Sequence, residues 1–241
     1  MGEFISGYIP FYYGYFFDYY YIVLVLPVIL ASLGVQIWLK STYSKYSKIS
    51  NSRNITGARA AYMVLQYYGI NDVNIVKIGG RMTDSYDPTQ KVIRLSEGVF
   101  DGSSIAAVGI ACHEAGHAAQ HAESYAPIKI RNLILPVCNI GSALSIPLLL
   151  AGVILSFEPL VWIGIGFFAF TALFQLITLP VEFNASRRAI SVIESNNLLT
   201  FEEKQGAQKV LRVAAMTYVA ALAVSVAQLL RLIFRFTGRR R

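Results

Sequence analysis

Residues 133–181 read LILPVCNIGSALSIPLLLAGVIL, then SFEP, then LVWIGIGFFAFTALFQLITLPV. Glu158 is the one charged side chain in the whole stretch. Crossing a hydrocarbon core takes about 20 apolar residues, and each arm is long enough. The Ser156–Pro159 segment between them has room only for a turn. The stretch predicts two membrane helices joined as a hairpin, and it decides the class of the chain.

Two further stretches fit the same pattern. Tyr20–Leu39 follows an aromatic tract (Phe11, Tyr12, Tyr13, Tyr15, Phe16, Phe17, Tyr19) suited to the headgroup level. No basic segment precedes it, so it reads as a span and not as a cleavable signal. Val213–Leu230 is shorter, with Ala214, Ala220, Ala221 and Ala227 available for close helix packing. The composition agrees: 55% hydrophobic and 15% charged, against about 25% charged in soluble domains. A disordered chain, a coiled coil and an ordinary soluble enzyme are excluded.

The net charge of +7 invites a nucleic-acid reading, but its placement argues for the membrane. Residues 40–60 carry Lys40, Lys45, Lys48, Arg53 and Arg59 with no acid, and the last 33 residues carry seven basic side chains with no acid. Such clusters mark the cytoplasmic flanks of spans, and no nucleic-acid motif accompanies them. Cys112 and Cys138 make no disulfide framework. Asn139, Gln175 and Gln228 read as polar contacts between helices, and the absence of charges inside the first three spans counts against a transporter. The Met1–Ser6 sequence matches a myristoylation pattern, which reads as chance on an outer N-terminus.

The polar blocks are residues 40–132 and 182–212. Gly57–Tyr68 predicts an amphipathic helix with Ala60, Met63, Val64 and Tyr67 on its apolar face. Val73–Ile78 and Lys91–Leu95 predict short strands, a β-hairpin joined across Gly79-Gly80 and the Asp87-Pro88 turn. Ser103 or Ser104 can cap a helix running to about Glu123.

That last helix contains His113-Glu114-Ala115-Gly116-His117. Residues four apart share a helix face, so both imidazoles can reach one metal, and the glutamate beside the first can act as general base on a water. A catalytic zinc takes a third protein ligand. His121 stands about 9 Å along the axis from a metal midway between the two histidines, beyond an imidazole's reach. It is expected in an outer role or on the surface. The third ligand is expected to be a carboxylate on the same side of the membrane, and Glu182 emerges at the near end of the hairpin. Pro180 can start a helix there. The plainer alternative is an interfacial carboxylate paired with Arg187 or Arg188.

Three stretches together carry a resemblance: Ala-Cys-His-Glu-Ala-Gly-His-Ala (111–118), Thr-Asp-Ser-Tyr-Asp-Pro (83–88) and Val-Glu-Phe-Asn-Ala-Ser-Arg-Arg-Ala (181–189). They resemble the YugP-like neutral zinc metallopeptidases of prokaryotic membranes, over nearly the whole chain from residue 20. HtpX and the CAAX prenyl endopeptidases are more remotely similar. The resemblance implies a mainly α membrane protein of about four spans with a small α+β gluzincin-like peptidase domain. It also implies Zn2+ held by His113, His117 and Glu182, with Glu114 as base and a peptide or protein as substrate. Two positions depart from the pattern. Ser186 stands where remote relatives carry an aspartate that supports a metal histidine, and Ser85 stands where a histidine is frequent. Tyr86, Tyr125, Arg187 and Arg188 remain unranked as oxyanion donors.

The chain thus divides into an N-terminal belt and first span (1–39), a peptidase segment (40–132), a hairpin (133–181), a third-ligand segment (182–212) and a last span with a basic tail (213–241). The leading expectation is an endopeptidase acting in or beside the membrane with its site facing the cytoplasm, where the Lys91–Leu95 strand can present an edge to substrate. A zinc-containing scaffold without peptidase activity is the alternative, and an intact Glu114 disfavours it.

Overall fold

The computed structural model describes residues 18–237. The aromatic tract up to Phe17, the Met1–Ser6 pattern and the Gly238–Arg241 tail lie outside the described residues. In chain order the elements are α1 (Tyr21–Tyr46, opening with a π-helical turn), α2 (Gly57–Tyr67), β1 (Asn74–Ile78), β2 (Ser85–Asp87), β3 (Val92–Ser96) and the short α3 (Glu97–Phe100). They are followed by α4 (Ile105–Ala122), α5 (Ala126–Ile154), α6 (Glu158–Ser195) and α7 (Phe201–Thr237). Helices α1, α5, α6 and α7 are each long and apolar enough to cross a membrane. The protein is a mainly α membrane protein with one small sheet.

Each of these four helices runs past its apolar stretch into polar sequence. This corrects one expectation: no helix begins at Pro180, because α6 continues through it. Membrane helices tolerate an internal proline where neighbouring groups satisfy the freed backbone.

The sheet corrects another. Its order is β1-β3-β2, with β1 parallel to β3 and β2 antiparallel to β3. The two expected strands are neighbours, but parallel ones. The hairpin is made instead by β3 and the three-residue strand β2, with Ser85 opposite Arg94. Since β3 is paired on both sides, the Lys91–Leu95 segment offers no edge, and the edges belong to β1 and β2.

The described residues form two compact units. One consists of Val35–Leu133 and Ile177–Tyr218. Its core joins α2, β3, α4 and the polar parts of α6 and α7, through residues such as Leu65, Ile93, Leu95, Val108, Ile193 and Leu198. The buried face of α2 is Ala60, Ala61, Val64 and Leu65, rotated from the expected one, and Tyr67 is exposed. Ser104 caps α4 by accepting a hydrogen bond from the Ala107 N–H at 3.1 Å. Cys112 is fully buried in this core.

Two glycines of α4 set how closely its partners approach. A Cβ on Gly116 would lie 2.7 Å from the Ala185 carbonyl oxygen of α6, and one on Gly109 would lie 3.2 Å from the Ala207 Cβ of α7. Backbone atoms cannot yield as a flexible side chain does. Gly116→Ala is therefore expected to cost about 1–3 kcal/mol, the usual scale of overpacking. Thermal unfolding checks this, with Gly109→Ala as the milder comparison.

The other unit consists of the described residues up to Gly34, Ile134–Leu176 and those from Val219 onward. Its small core gathers Val161, Ile165 and Phe236 with Leu149, Trp162 and Leu232. Many of its apolar side chains point outward; Ile140 and Ile146 are 60% exposed and Ile154 78%. That pattern suits lipid contact and would be costly in water.

Candidate metal centre

His113 and His117 stand one turn apart on α4, and Glu182 faces them from α6. Their ligand-type atoms all lie within 4.8 Å of one another. The Glu182 Oε2 atom is 3.4 Å from His113 Nε2 and 3.6 Å from His117 Nε2. These separations exceed an ordinary N–H···O hydrogen bond of about 2.7–3.2 Å. They lie near the roughly 3.3 Å edge of a tetrahedron with metal–ligand bonds of about 2.05 Å. The three side chains are only 16%, 12% and 5% exposed. Two imidazoles and one carboxylate make a donor set suited to a catalytic zinc, so donor chemistry and spacing both fit that ion.

The outer contacts of the imidazoles strengthen the fit. Gln120 is fully buried, and its Nε2 donates to the Val181 carbonyl at 2.8 Å and to Asn184 Oδ1 at 3.0 Å. That orientation leaves the Gln120 Oε1 atom toward His117 Nδ1, 3.0 Å away. An amide oxygen only accepts, so Nδ1 carries the hydrogen and Nε2 keeps its lone pair on the Glu182 side. Ser186 Oγ stands 3.1 Å from His113 Nδ1 and can accept there in the same way. Such contacts hold ring orientation and ligand basicity.

Gln120 and Asn184 carried no signal in the motif reading, although Gln120 stands three residues after His117 and thus on its helix face. Gln120→Leu removes the acceptor for His117 and the side-chain donor to the Val181 carbonyl and Asn184. Its zinc affinity is expected to fall about 10–100-fold, measured by competition with a chelator of known affinity.

A cavity of about 160 Å³ adjoins the cluster, lined among others by Tyr43, Asp84, His113, Glu114, Glu182 and Tyr218. Burial pushes the Glu114 carboxyl above the usual range, partly offset by the two imidazoles and reinforced by Glu182. Asp84 is held by the Ser96 N–H at 2.7 Å and the Ser96 hydroxyl at 3.0 Å.

The remaining candidates lie elsewhere. His121 packs against Tyr86 with ring centroids 5.6 Å apart and is not in the ligand cluster. Burial holds its imidazole below the usual range, and the Arg131 guanidinium acts in the same direction. Arg188 is tied to Glu123 at 2.6 Å and to Asn184 at 2.8 Å, and lies over the rings of Tyr68 and Tyr125. Arg187 is exposed. None of Tyr86, Tyr125, Arg187 and Arg188 lines the cavity. Tyr218 does, and its phenol interacts with Glu182 and Glu114. Arg131 carries a buried Nε–H with no partner among the described residues.

Residues 21–237 match the protein family described as "Putative neutral zinc metallopeptidase". The chain belongs to this family. Its members are zinc metallopeptidases, and the cofactor is accordingly Zn2+. The chain is also similar to the "Putative membrane protease YugP" of Bacillus subtilis (strain 168), 44% identical over 222 residues. That alignment covers 90% of this chain and 99% of the relative. No solved structure matches.

Proposed function

We propose that this membrane metallopeptidase is an endopeptidase, with His113, His117 and Glu182 as zinc ligands and Glu114 as general base. The observation that carries the reading is the two-histidine, one-carboxylate cluster, with His113, Glu182 and Glu114 lining one cavity. Zinc bound there supplies Lewis acidity, polarising a scissile carbonyl and acidifying water. Glu114 takes a proton from the attacking water onto its carboxylate and returns it to the leaving amine. The Tyr218 phenol is a neutral donor for the oxygen of the carbonyl under attack, since it lines the same cavity beside Glu182. An extended substrate has the outer edge of β2 to pair with, in place of β3.

The test is cleavage of peptides blocked at both ends. An endopeptidase cuts them internally, whereas cleavage confined to peptides with a free terminus would replace this reading with an exopeptidase.

The site is read as facing the cytoplasm. Lys40, Lys45 and Lys48 follow the first span, Lys129 and Arg131 precede the second, and Arg187 and Arg188 follow the third. Single cysteines report on this in intact cells. Ser85→Cys is expected to be shielded from an impermeant reagent, and Ser156→Cys to react. Labelling of Ser85→Cys from outside reverses the assignment, and Thr237→Cys reports separately on whether α7 crosses fully.

A further inference from the structure

The cavity beside the metal cluster has an apolar side that the chemistry above leaves unused. Leu39 of α1, Ile110 of α4 and Val210, Leu211, Ala214 and Ala215 of α7 line it. The α7 residues recur at three- and four-residue spacing as far as Tyr218, so one helix face supplies most of this wall. Ile110 stands three residues before His113 and four before Glu114, hence on their face of α4 and one turn away. Val210, Leu211 and Ala215 are buried, and Ala214 is partly so. The two alanines are the smallest side chains of the wall, and they leave space that a larger residue there would take.

The polar lining has one sign. Asp84, Glu114 and Glu182 are carboxylates, and no lysine or arginine lines the cavity among the described residues. An aspartate or glutamate of a substrate would lose its water here with no cation of the chain to pair with. Glu182 and Glu114 are committed to the metal and the water under the reading above, and both Asp84 oxygens accept from Ser96. That leaves the apolar wall as the surface a substrate side chain meets. The volume, about 160 Å³, compares with the roughly 150 Å³ apolar cavity that accepts one benzene molecule. A leucine, methionine or phenylalanine side chain is of that size. We propose that this wall seats an apolar side chain of the residue flanking the scissile bond, and that Ala214 and Ala215 limit its size. The inference rests on the peptidase reading and adds the substrate class to it.

The test uses the full-length, zinc-loaded protein and end-blocked peptides that differ at one central residue: leucine, phenylalanine, alanine or aspartate. Cut positions are mapped by mass spectrometry and kcat/KM is measured for each peptide. Wild type is expected to cut beside leucine or phenylalanine about tenfold faster than beside alanine, the low end for small differences in an apolar pocket. Aspartate is expected to be cut slowest. Ala214→Leu, whose added carbons fill the wall, is expected to reverse the order of leucine and alanine; general damage would lower both rates together. Ala214→Val is the gentler filling variant should Ala214→Leu fail to fold. Fluorescent forms of the same peptides, bound to zinc-loaded Glu114→Gln and read by anisotropy, separate this inference from the endopeptidase reading. No cleavage of any peptide, with leucine still bound about tenfold more tightly than alanine, fails that reading and upholds the apolar wall. Cleavage indifferent to leucine and alanine overturns the proposal, as do peptides bound alike or not at all. So does a leucine preference unchanged in the folded filling variants, since the side chain then sits elsewhere.

Discussion

Glu114→Gln is expected to bind zinc as wild type does and to lose hydrolysis by about 10²–10⁴-fold, the usual contribution of a positioned acid–base group. The amide keeps the size and hydrogen-bonding reach of the carboxylate but cannot accept a proton from water. The ligand set is untouched, so the loss falls on the chemical step: kcat and kcat/KM drop together while metal stoichiometry holds. A folded, zinc-loaded Glu114→Gln protein that still cleaves at the wild-type rate would transfer the role of base to another group in the cavity, with Asp84 the first to test.

Removing a ligand acts one step earlier. His117→Ala and Glu182→Ala are each expected to lose nearly all bound zinc, and hydrolysis with it, because two protein ligands do not make a closed catalytic set. His121→Ala is expected to keep its metal, since that ring packs at a tilt against Tyr86 outside the cluster. Metal analysis of the three purified variants decides the matter before any substrate is known. An empty site in His121→Ala beside a loaded site in Glu182→Ala would overturn the ligand assignment.

Much of this was legible in residue order, and the illegible parts share a cause. The apolar runs gave all four membrane helices, because hydropathy over 20 residues overrides local signals. The spacing of His113 and His117 gave one helix face. Strand β2 escaped because three residues before Pro88 carry too little alternation to register, and the sheet order followed from that omission. Continuity of α6 through Pro180 depends on neighbours that satisfy the backbone, and no local pattern reports them. Tyr218 sits in an alanine-rich run where an aromatic reads as lipid-facing, and Arg131 reads only as a basic flank. Tyr218 reaches the cavity beside the candidate ligands through packing between distant segments. Gln120 differs: its i+3 spacing from His117 was visible, but only the positions of Val181 and Asn184 show which way its amide turns.

The burial of the two cysteines has a chemical corollary. Cys112 stands beside His113, and Cys138 lies within a helix apolar enough to cross a membrane; both are free and buried. Burial in the core pushes the Cys112 thiol far above its usual range, so almost none of it is the nucleophilic thiolate that peroxide or an alkylating agent attacks. The enzyme is thereby predicted to withstand oxidants that disable thiolate-ligated zinc proteins. Maleimide and iodoacetamide should leave the native protein unmodified until it unfolds, and engineered surface cysteines can then be read against a silent background.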